Sequence, residues 1–263
     1  MYKYALALTS ALALSAAATM PVRAMEHHQT AAHAAIDVAA TQAALAEAPD
    51  RSDEDKARDQ HRKPAQVLAF LGLETGDTVL DLIASGGWYS VAAAIATGPS
   101  GKVYAQNPAA ALELRDGAYE KEITARLAAN KLPQLERLNS EFTDLGVPDD
   151  SVDLAITALN FHDIYNSYGA PAATGMLQAI RAKLKPGGVL GLIDHVGDPD
   201  GDNKAAHRID PVLAVAAAEA AGFEVGRNDT LLAETGDDHA KNVFDPAVRG
   251  KTDRFILKLT KPE

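Results

Sequence analysis

The chain has 263 residues, no cysteine and a formal net charge of −11, with 25 lysines and arginines against 36 aspartates and glutamates. The lack of cysteine excludes disulfides, thiolate metal sites and a cysteine nucleophile. The acidic balance, without any run of basic residues, argues against partners such as nucleic acid or an anionic membrane surface.

Residues 1–24 predict a cleaved signal peptide. Lys3 gives a positive start, residues 5–18 are apolar, and small residues end the stretch at Ala24. The apolar run is shorter than the roughly 20 residues of a membrane span, so an uncleaved anchor is the weaker alternative. Cleavage after Ala24 removes Lys3 and Arg23 and takes the net charge from −11 to −13. We expect a periplasmic or secreted protein that is free of the membrane after cleavage.

Residues 25–62 predict a helical extension, followed by the main domain at 63–263. The first part is alanine-rich and predicts a loosely attached helix. His27, His28 and His33 at its start could bind a metal, although solvated histidines are common near a chain terminus. Residues 49–60 are a charged run that predicts a short capped helix or a surface lid, and an apolar helical pattern follows it at 64–73.

From residue 78 onward, strand and helix patterns alternate. This alternation predicts an α/β fold with a mostly parallel sheet and helices on both faces. The last two strands are joined without a helix, which predicts an antiparallel strand at one side. Their long polar connection could cover a site with Phe244, Arg249 and Lys251, or be a plain surface loop. The strands are expected at 78–83, 102–106, 134–138, 152–158, 189–194, 223–230 and 253–259, and the helices at 88–97, 109–130 with a break near Gly117, 172–184 and 210–221.

The first strand and helix enclose a turn that indicates a ligand site. Ala84, Ser85, Gly86 and Gly87 have small side chains or none, so a ligand could approach the backbone closely. The helix N-terminus that follows favours polar or anionic groups. Strand, turn and helix together predict a site for a nucleotide-like ligand at residues 79–90.

Three segments resemble motifs of the class I S-adenosylmethionine-dependent methyltransferases: 79–82 with the following turn, 145–154 and 184–190. The resemblance covers residues 64–262. It implies a Rossmann-like three-layer sandwich with a seven-stranded, mostly parallel sheet and an antiparallel strand near one edge. The chain is also similar to predicted methyltransferases that carry a signal peptide. The shared phrases are at 62–64, 86–89, 103–108, 160–163, 194–195, 207–210, 242–246 and 249–254.

The resemblance implies S-adenosyl-L-methionine as the cofactor. Two departures weaken the motif, because Ile83 and Ser85 replace glycines and the amides of Gln106 and Asn107 replace the acid that binds the ribose hydroxyls. The lack of that acid and the glycine spacing also disfavour NAD. The implied cofactor-binding residues are Asp81, Ala84, Ser85, Gly86, Gly87, Tyr89, Gln106, Asn107, Glu141 and Asn160.

Two histidine–aspartate pairs follow the fourth and fifth strands: His162 with Asp163, and Asp194 with His195. Both pairs are expected at the ligand-binding edge of the sheet. A histidine beside a carboxylate suits a general base, so these four residues are the predicted catalytic group. His207 and Asp210 could add to it from the next loop. Each histidine alone could instead be an ordinary satisfied side chain, or the cluster could bind a divalent metal.

The sequence is compatible with three functions. The first is an exported methyltransferase that acts on an unknown small molecule with help from the histidine–aspartate pairs. The second is a periplasmic ligand-binding protein that keeps the scaffold and has lost catalysis. The third is a metal-assisted enzyme that uses His162, Asp163, Asp194 and His195. The methyl acceptor and the oligomeric state do not follow from the sequence.

Overall fold

The computed structural model describes residues 33–49, 51–128 and 131–263. The predicted signal peptide, together with His27 and His28, lies outside these described residues.

Seven strands form one sheet in the order β3-β2-β1-β4-β5-β7-β6. The five strands from β3 to β5 pair in parallel, whereas β7 runs antiparallel to both β5 and β6. The predicted α/β fold, with an antiparallel strand near one edge, is confirmed. The strands are β1 Thr78–Leu82, β2 Lys102–Asn107, β3 Leu135–Asn139, β4 Val152–Ala158, β5 Leu184–His195, β6 Glu224–Asn228 and β7 Arg254–Thr260.

Helices cover both faces of the sheet, because strand residues alternate between two apolar cores. In β1, Val79 packs into one core and Leu80 into the other. The first core includes residues of α1, α3 and α4, and the second includes residues of α6 and α8. The helices are α1 Val38–Glu47, α2 Asp53–Arg62, α3 Pro64–Leu71, α4 Trp88–Thr97, α5 Ala109–Ala128, α6 Phe161–Lys183, α7 Asn203–Ala206 and α8 Pro211–Ala220. None of these helices has the length and apolar character needed to cross a membrane.

Helix α6 starts earlier than the sequence pattern predicts. It begins at Phe161, so that His162 and Asp163 lie in its first turn. Gly169, with φ 83°, and Pro171 interrupt the helix, and these two residues explain why the pattern predicts only the part from 172 onward. The predicted catalytic pair therefore stands on a helix that begins directly after β4.

The segment before α3 is attached more firmly than expected, and the prediction of a loosely attached helix was wrong. Leu45 of α1 is buried in the core that also contains residues of α3 and α4. Arg51 is buried and donates two hydrogen bonds to the carboxylate of Asp59, at 2.6 and 2.5 Å. The charged run forms a helix, α2, capped by the Ser52 hydroxyl, as predicted.

Candidate functional site

A cavity of about 440 Å³ lies where β1, β4 and β5 end. This volume falls in the range of about 300–1000 Å³ that is usual for small-molecule sites. The carboxyl ends of parallel strands are where open α/β sheets bind ligands. The structure brings nine of the predicted site residues to the wall of the cavity: Asp81, Ala84, Ser85, Gly86, Tyr89, Asn160, His162, Asp163 and His195.

Asp81, at the end of β1, is almost fully buried. Its carboxylate accepts a hydrogen bond of 2.6 Å from the Ser90 hydroxyl. Burial raises the pKa of Asp81 to about 7, even though the hydrogen bonds from Ser90 act in the opposite direction. Near neutral pH the side chain therefore exchanges readily between its charged and uncharged forms.

Gln106 and Asn107 lie outside the cavity wall, fully buried beneath the turn. Gln106 accepts a hydrogen bond from the Ile83 backbone N–H at 3.1 Å, and Asn107 accepts one from that of Ser85 at 2.8 Å. Ile83 and Ser85 have positive φ angles of 50° and 53°, which residues other than glycine rarely adopt. The two amides therefore support a strained turn, and their oxygens do not face a ligand.

Glu141 and Gly87 also lie outside the cavity wall. Glu141 is exposed and accepts a hydrogen bond of 3.2 Å from the Ala109 N–H at the start of α5. Gly87 has φ 81°, and a Cβ atom there would lie 2.7 Å from the Ile123 side chain of α5. Both residues therefore serve local structure around α5.

Helix α5, and not only a ligand, accounts for the glycines of the turn. A Cβ atom on Gly86 would lie 1.9 Å from a carboxylate oxygen of Glu122. Arg126 donates a hydrogen bond of 2.6 Å to the Gly86 carbonyl and binds both carboxylate oxygens of Asp55 in α2. Helix α5 thus covers one side of the turn, so a ligand can approach the turn only from the opposite side.

Asp194 joins the two predicted catalytic pairs. It is fully buried and accepts three hydrogen bonds, from His162 Nδ1 at 2.7 Å, from the His162 N–H at 2.7 Å and from the His195 N–H at 2.8 Å. The end of β5 is thereby tied to the first turn of α6. Asp194 orients the imidazole of His162, whereas it contacts only the backbone of His195.

His162 is held as a cation. Burial alone would lower its pKa, but the charge of Asp194 and the hydrogen bonds of Asp163 and Asp194 outweigh burial and raise the pKa to about 10. Its Nε2 atom lies 3.3 Å from Asp163. At neutral pH, His162 therefore carries a proton on each ring nitrogen and cannot accept another.

His195 is in the opposite state. Burial, together with the positive charges of Arg254 and His162, lowers its pKa well below the usual value. Its Nδ1 atom lies 2.7 Å from the Thr252 hydroxyl, and its ring centroid is 5.8 Å from that of His162. A carboxylate contacts the ring of His162 and raises its pKa, whereas Asp194 contacts only the backbone of His195 and does not offset burial there.

His207 completes a compact group with His162 and Asp163. Its Nδ1 atom is 3.2 Å from Asp163 Oδ1, and one ligand atom from each of the three residues lies within 4.8 Å of the others. Two imidazoles and a carboxylate suit a divalent transition metal. Asp194 and His195, which the metal hypothesis included, are not in this group, and Asp210 instead caps α8 through the Val212 N–H.

A second group with possible metal ligands lies near the amino end of β1. His33 Nδ1 is 2.9 Å from Asp77 Oδ1, and Glu74 is close by. His33 is thus hydrogen-bonded to Asp77, which fits a structural role as well as a metal site.

The cavity wall also holds arginines that the sequence did not assign to the site, among them Arg62 and Arg254. Arg62 ends α2 and Arg254 begins β7. Both lie in phrases that the chain shares with predicted methyltransferases, 62–64 and 249–254, but no motif assigned either guanidinium to the site. Their position becomes evident only when α2 and the connection before β7 are placed over the ends of the strands.

Similarity to known proteins is found at the level of structure. No family model matches the chain, and no curated protein matches its sequence. A SAM-dependent methyltransferase from Aquifex aeolicus is similar with a TM-score of 0.57 and 21% identity, over 85% of this chain and 98% of that one. The cyclase SpnF has a TM-score of 0.57 and 17% identity, over 82% and 85% of the two chains.

A possible exported protein from Bordetella parapertussis is similar with a TM-score of 0.53 and 17% identity, over 79% of this chain and 68% of that one. These likenesses show that the chain shares its Rossmann-like fold with S-adenosylmethionine-dependent methyltransferases. Because a cyclase shares this fold, the fold alone does not specify the reaction, which depends on the residues of the site.

Proposed function

We propose that the chain is a S-adenosylmethionine-dependent methyltransferase that acts on a small molecule and uses His195 as its proton acceptor. The observation that carries the proposal is one cavity that joins the turn after β1 to a neutral histidine at the end of β5. S-adenosyl-L-methionine, when bound, supplies an activated methyl group on its sulfonium. The fold, shared with methyltransferases, supports this choice.

The residues at the turn fit the amino-acid end of the cofactor. Asp81 can accept a hydrogen bond from an ammonium group when it is charged, and its pKa of about 7 allows this at neutral pH. Ala84, Ser85 and Gly86 line the same wall with little side chain. The fit is weaker at the ribose, because the oxygens of Gln106 and Asn107 already accept hydrogen bonds from the turn.

His195 suits proton acceptance better than His162. Methylation of a hydroxyl or an amine releases one proton, which needs an acceptor near the reacting atom. His162 is already protonated, whereas His195 is neutral. If His195 Nδ1–H donates to the Thr252 hydroxyl, its Nε2 is free to accept the proton.

Calorimetric titration with S-adenosylmethionine and S-adenosylhomocysteine tests the proposal. We expect both to bind the wild-type protein, and the D81N variant to bind them at least about tenfold more weakly, since it loses a charge-assisted hydrogen bond. Absence of binding to the wild-type protein would refute the proposal. Binding without turnover of any acceptor would instead favour a ligand-binding protein that has lost catalysis.

The geometry of His162, Asp163 and His207 favours one second candidate, a metal-assisted enzyme. His162 is hydrogen-bonded through Nδ1 to the buried Asp194, the usual arrangement behind a metal-ligating histidine. Elemental analysis of gently purified protein, followed by Mn²⁺ and Zn²⁺ titration of wild type and H207A, tests this candidate. A protein that is fully active without metal would exclude it.

We also propose export, with cleavage after Ala24. The signal-peptide pattern of residues 1–24 supports it, as does the structural likeness to a possible exported protein. Mass spectrometry of protein recovered from the periplasm or medium should give a new N-terminus at Met25. Full-length protein confined to the cytoplasm would contradict export while leaving the proposed reaction untouched.

A further inference from the structure

Arg62 and Arg254 line the cavity without a carboxylate partner. Arg254 is buried and donates hydrogen bonds of 3.0 Å to the His61 and Gly250 carbonyls, while its buried Nε has no partner. Arg62 is half-buried, with its guanidinium 5.0 Å from the centre of the Trp88 ring. Among the described residues, neither arginine forms an ion pair.

Three other arginines that are buried or half-buried form ion pairs with carboxylates. Arg51, Arg126 and Arg208 each donate two hydrogen bonds to one carboxylate, those of Asp59, Asp55 and Asp237. Such bidentate pairs compensate for the loss of hydration around a guanidinium. Of the three buried arginines among the described residues, Arg51, Arg208 and Arg254, only Arg254 lacks a carboxylate partner.

The two unmatched guanidiniums face the same place. Arg62, Tyr89 and Arg254 line the cavity together with the apolar side chain of Leu159. Burial, together with the positive charge of Arg62, lowers the pKa of Arg254 to about 10. Apolar surroundings strengthen the attraction between these cations and any anion that enters.

We propose that Arg62 and Arg254, with the Tyr89 hydroxyl, form an anion subsite that binds a carboxylate or phosphate group of the ligand in this cavity. The planar guanidinium fork matches both groups. The Tyr89 hydroxyl has no hydrogen-bond partner among the described residues and can donate to the same anion. The chain as a whole has a net charge of −11 and therefore repels anions. Two unpaired cations in one cavity would attract an anion to that place specifically.

The anion can belong to either of two parts of the bound ligands. One is the carboxylate of the methyl donor, and the other is an anionic group on the methyl acceptor. Assigning it to one of these parts rests on the proposed methyltransferase function. The subsite itself does not rest on that function, because it can be probed with a simple anion in the protein alone.

The test is calorimetric titration of the full-length protein with inorganic phosphate at constant ionic strength. R62Q removes one unmatched guanidinium, and R62K keeps the charge but loses the fork. R115Q is the matched control, since Arg115 lines the same cavity, is exposed and has the same charge. We expect saturable binding to wild type, weakened at least about tenfold in R62Q, and changed less than about twofold in R115Q.

Either of two results would overturn the subsite: no saturable phosphate binding to the wild-type protein, or equal weakening in R62Q and R115Q. The second would mean that only the overall charge of the cavity attracts phosphate. Weaker binding in R62K than in wild type, but tighter than in R62Q, would further support recognition by the fork.

Competition assigns the source of the anion. Phosphate binding that is lost with S-adenosylhomocysteine, yet retained with 5′-methylthioadenosine, which lacks the amino-acid carboxylate, points to the donor. Phosphate binding retained with both points to an anionic acceptor. If S-adenosylhomocysteine does not bind at all, the proposed function fails while the phosphate titration still decides the subsite.

Discussion

His162 and His195 are equally buried neighbours of Asp194, but they are expected to hold opposite charges. Asp194 contacts the ring of His162 and only the backbone N–H of His195. A carboxylate that touches the ring stabilises the imidazolium, whereas burial beside Arg254 disfavours it. The adjacent positions of the pairs are visible in the sequence. Which ring faces the carboxylate depends on where α6 starts, and this is not visible.

The neutral state of His195 leads to a prediction for activity. Once a methyl acceptor is known, H195Q should lower kcat by about 10²–10⁴-fold, the usual contribution of a general base. KM for the donor should change little, because His195 is assigned to the acceptor's proton. Steady-state kinetics with H33Q as the control, which changes a histidine at the other end of β1, checks this. Similar losses in both variants would contradict the assignment.

The charged state of His162 leads to a prediction for stability. Its folded pKa of about 10 is raised above the unfolded value of 6.5. The stabilisation is therefore fully present below pH 6.5 and is lost as the pH rises through about 10. Urea unfolding of wild type and H162Q should differ by on the order of a few kcal/mol at the lower pH, and less at the upper. A difference that stays constant over this window would mean that His162 is not held as a cation.

At the scale of elements, glycines mark both ends of one helix that the sequence predicted with its correct bounds. Helix α4 runs from Trp88 to Thr97, as predicted, between Gly87 and Gly98. Helix α6 was predicted to start late because Gly169 and Pro171 interrupt it. Local signals thus located the ends of elements, but they could not tell a break inside a helix from its beginning.

The packing of α5 on the turn after β1 leads to a prediction for Gly86. G86A should destabilise the fold by about 1 kcal/mol, since the new Cβ overlaps the mobile carboxylate end of Glu122 and lies 3.0 Å from its Cβ. The double variant G86A/E122A should recover most of this loss, because the obstacle is a removable side chain. Denaturant unfolding of the two single variants and the double variant measures the coupling.

Gly87 provides the contrast. G87A should also destabilise the protein, but E122A should not rescue it, because Gly87 has φ 81° and its Cβ would meet Ile123 instead. If E122A rescues neither variant, or both to the same extent, the close approach of α5 to Gly86 is not what requires the glycine.

At the scale of the whole molecule, the predicted topology is confirmed, whereas several residues of the predicted site have other roles in the structure. Alternating strands and helices follow from apolar periodicity, which local sequence records. The roles of Gln106 and Asn107 follow from which backbone groups lie above them after folding. The same holds for Arg62 and Arg254, which reach the cavity only because α2 and β7 meet there. Long-range contacts of this kind leave no periodic signal.

The attachment of the segment before α3 leads to a prediction at this scale. R51Q should increase amide hydrogen exchange throughout α1 and α2, since the pair with Asp59 joins residues on either side of the start of α2. The free energy of opening these helices should fall by about 1.5–3 kcal/mol, the contribution of a hydrogen bond to a charged group. Exchange measured by mass spectrometry reports it element by element.

The control for this prediction is R58Q in the same helix. Arg58 pairs with the exposed Glu54 and lies 3.7 Å from Asp55, which keeps its two hydrogen bonds to Arg126 in the variant. An i,i+4 surface pair contributes only about 0.3–0.5 kcal/mol. Exchange in α1 should therefore change little in R58Q. If α1 exchanges equally fast in wild type and R51Q, apolar packing of Leu45 alone holds the segment in place.

Trp88 is the only tryptophan of the chain, and its place gives the protein a built-in optical reporter. The indole lies 5.0 Å from the guanidinium of Arg62 and 5.5 Å from that of Arg51, and its Nε1 donates to the Asp55 carbonyl. This single fluorophore therefore contacts Arg62 of the cavity wall, Arg51 of the N-terminal segment and the start of α4. Emission from an unlabelled protein should respond both to an anion that reaches Arg62 and to the release of α2, and the two can be separated by R62Q and R51Q.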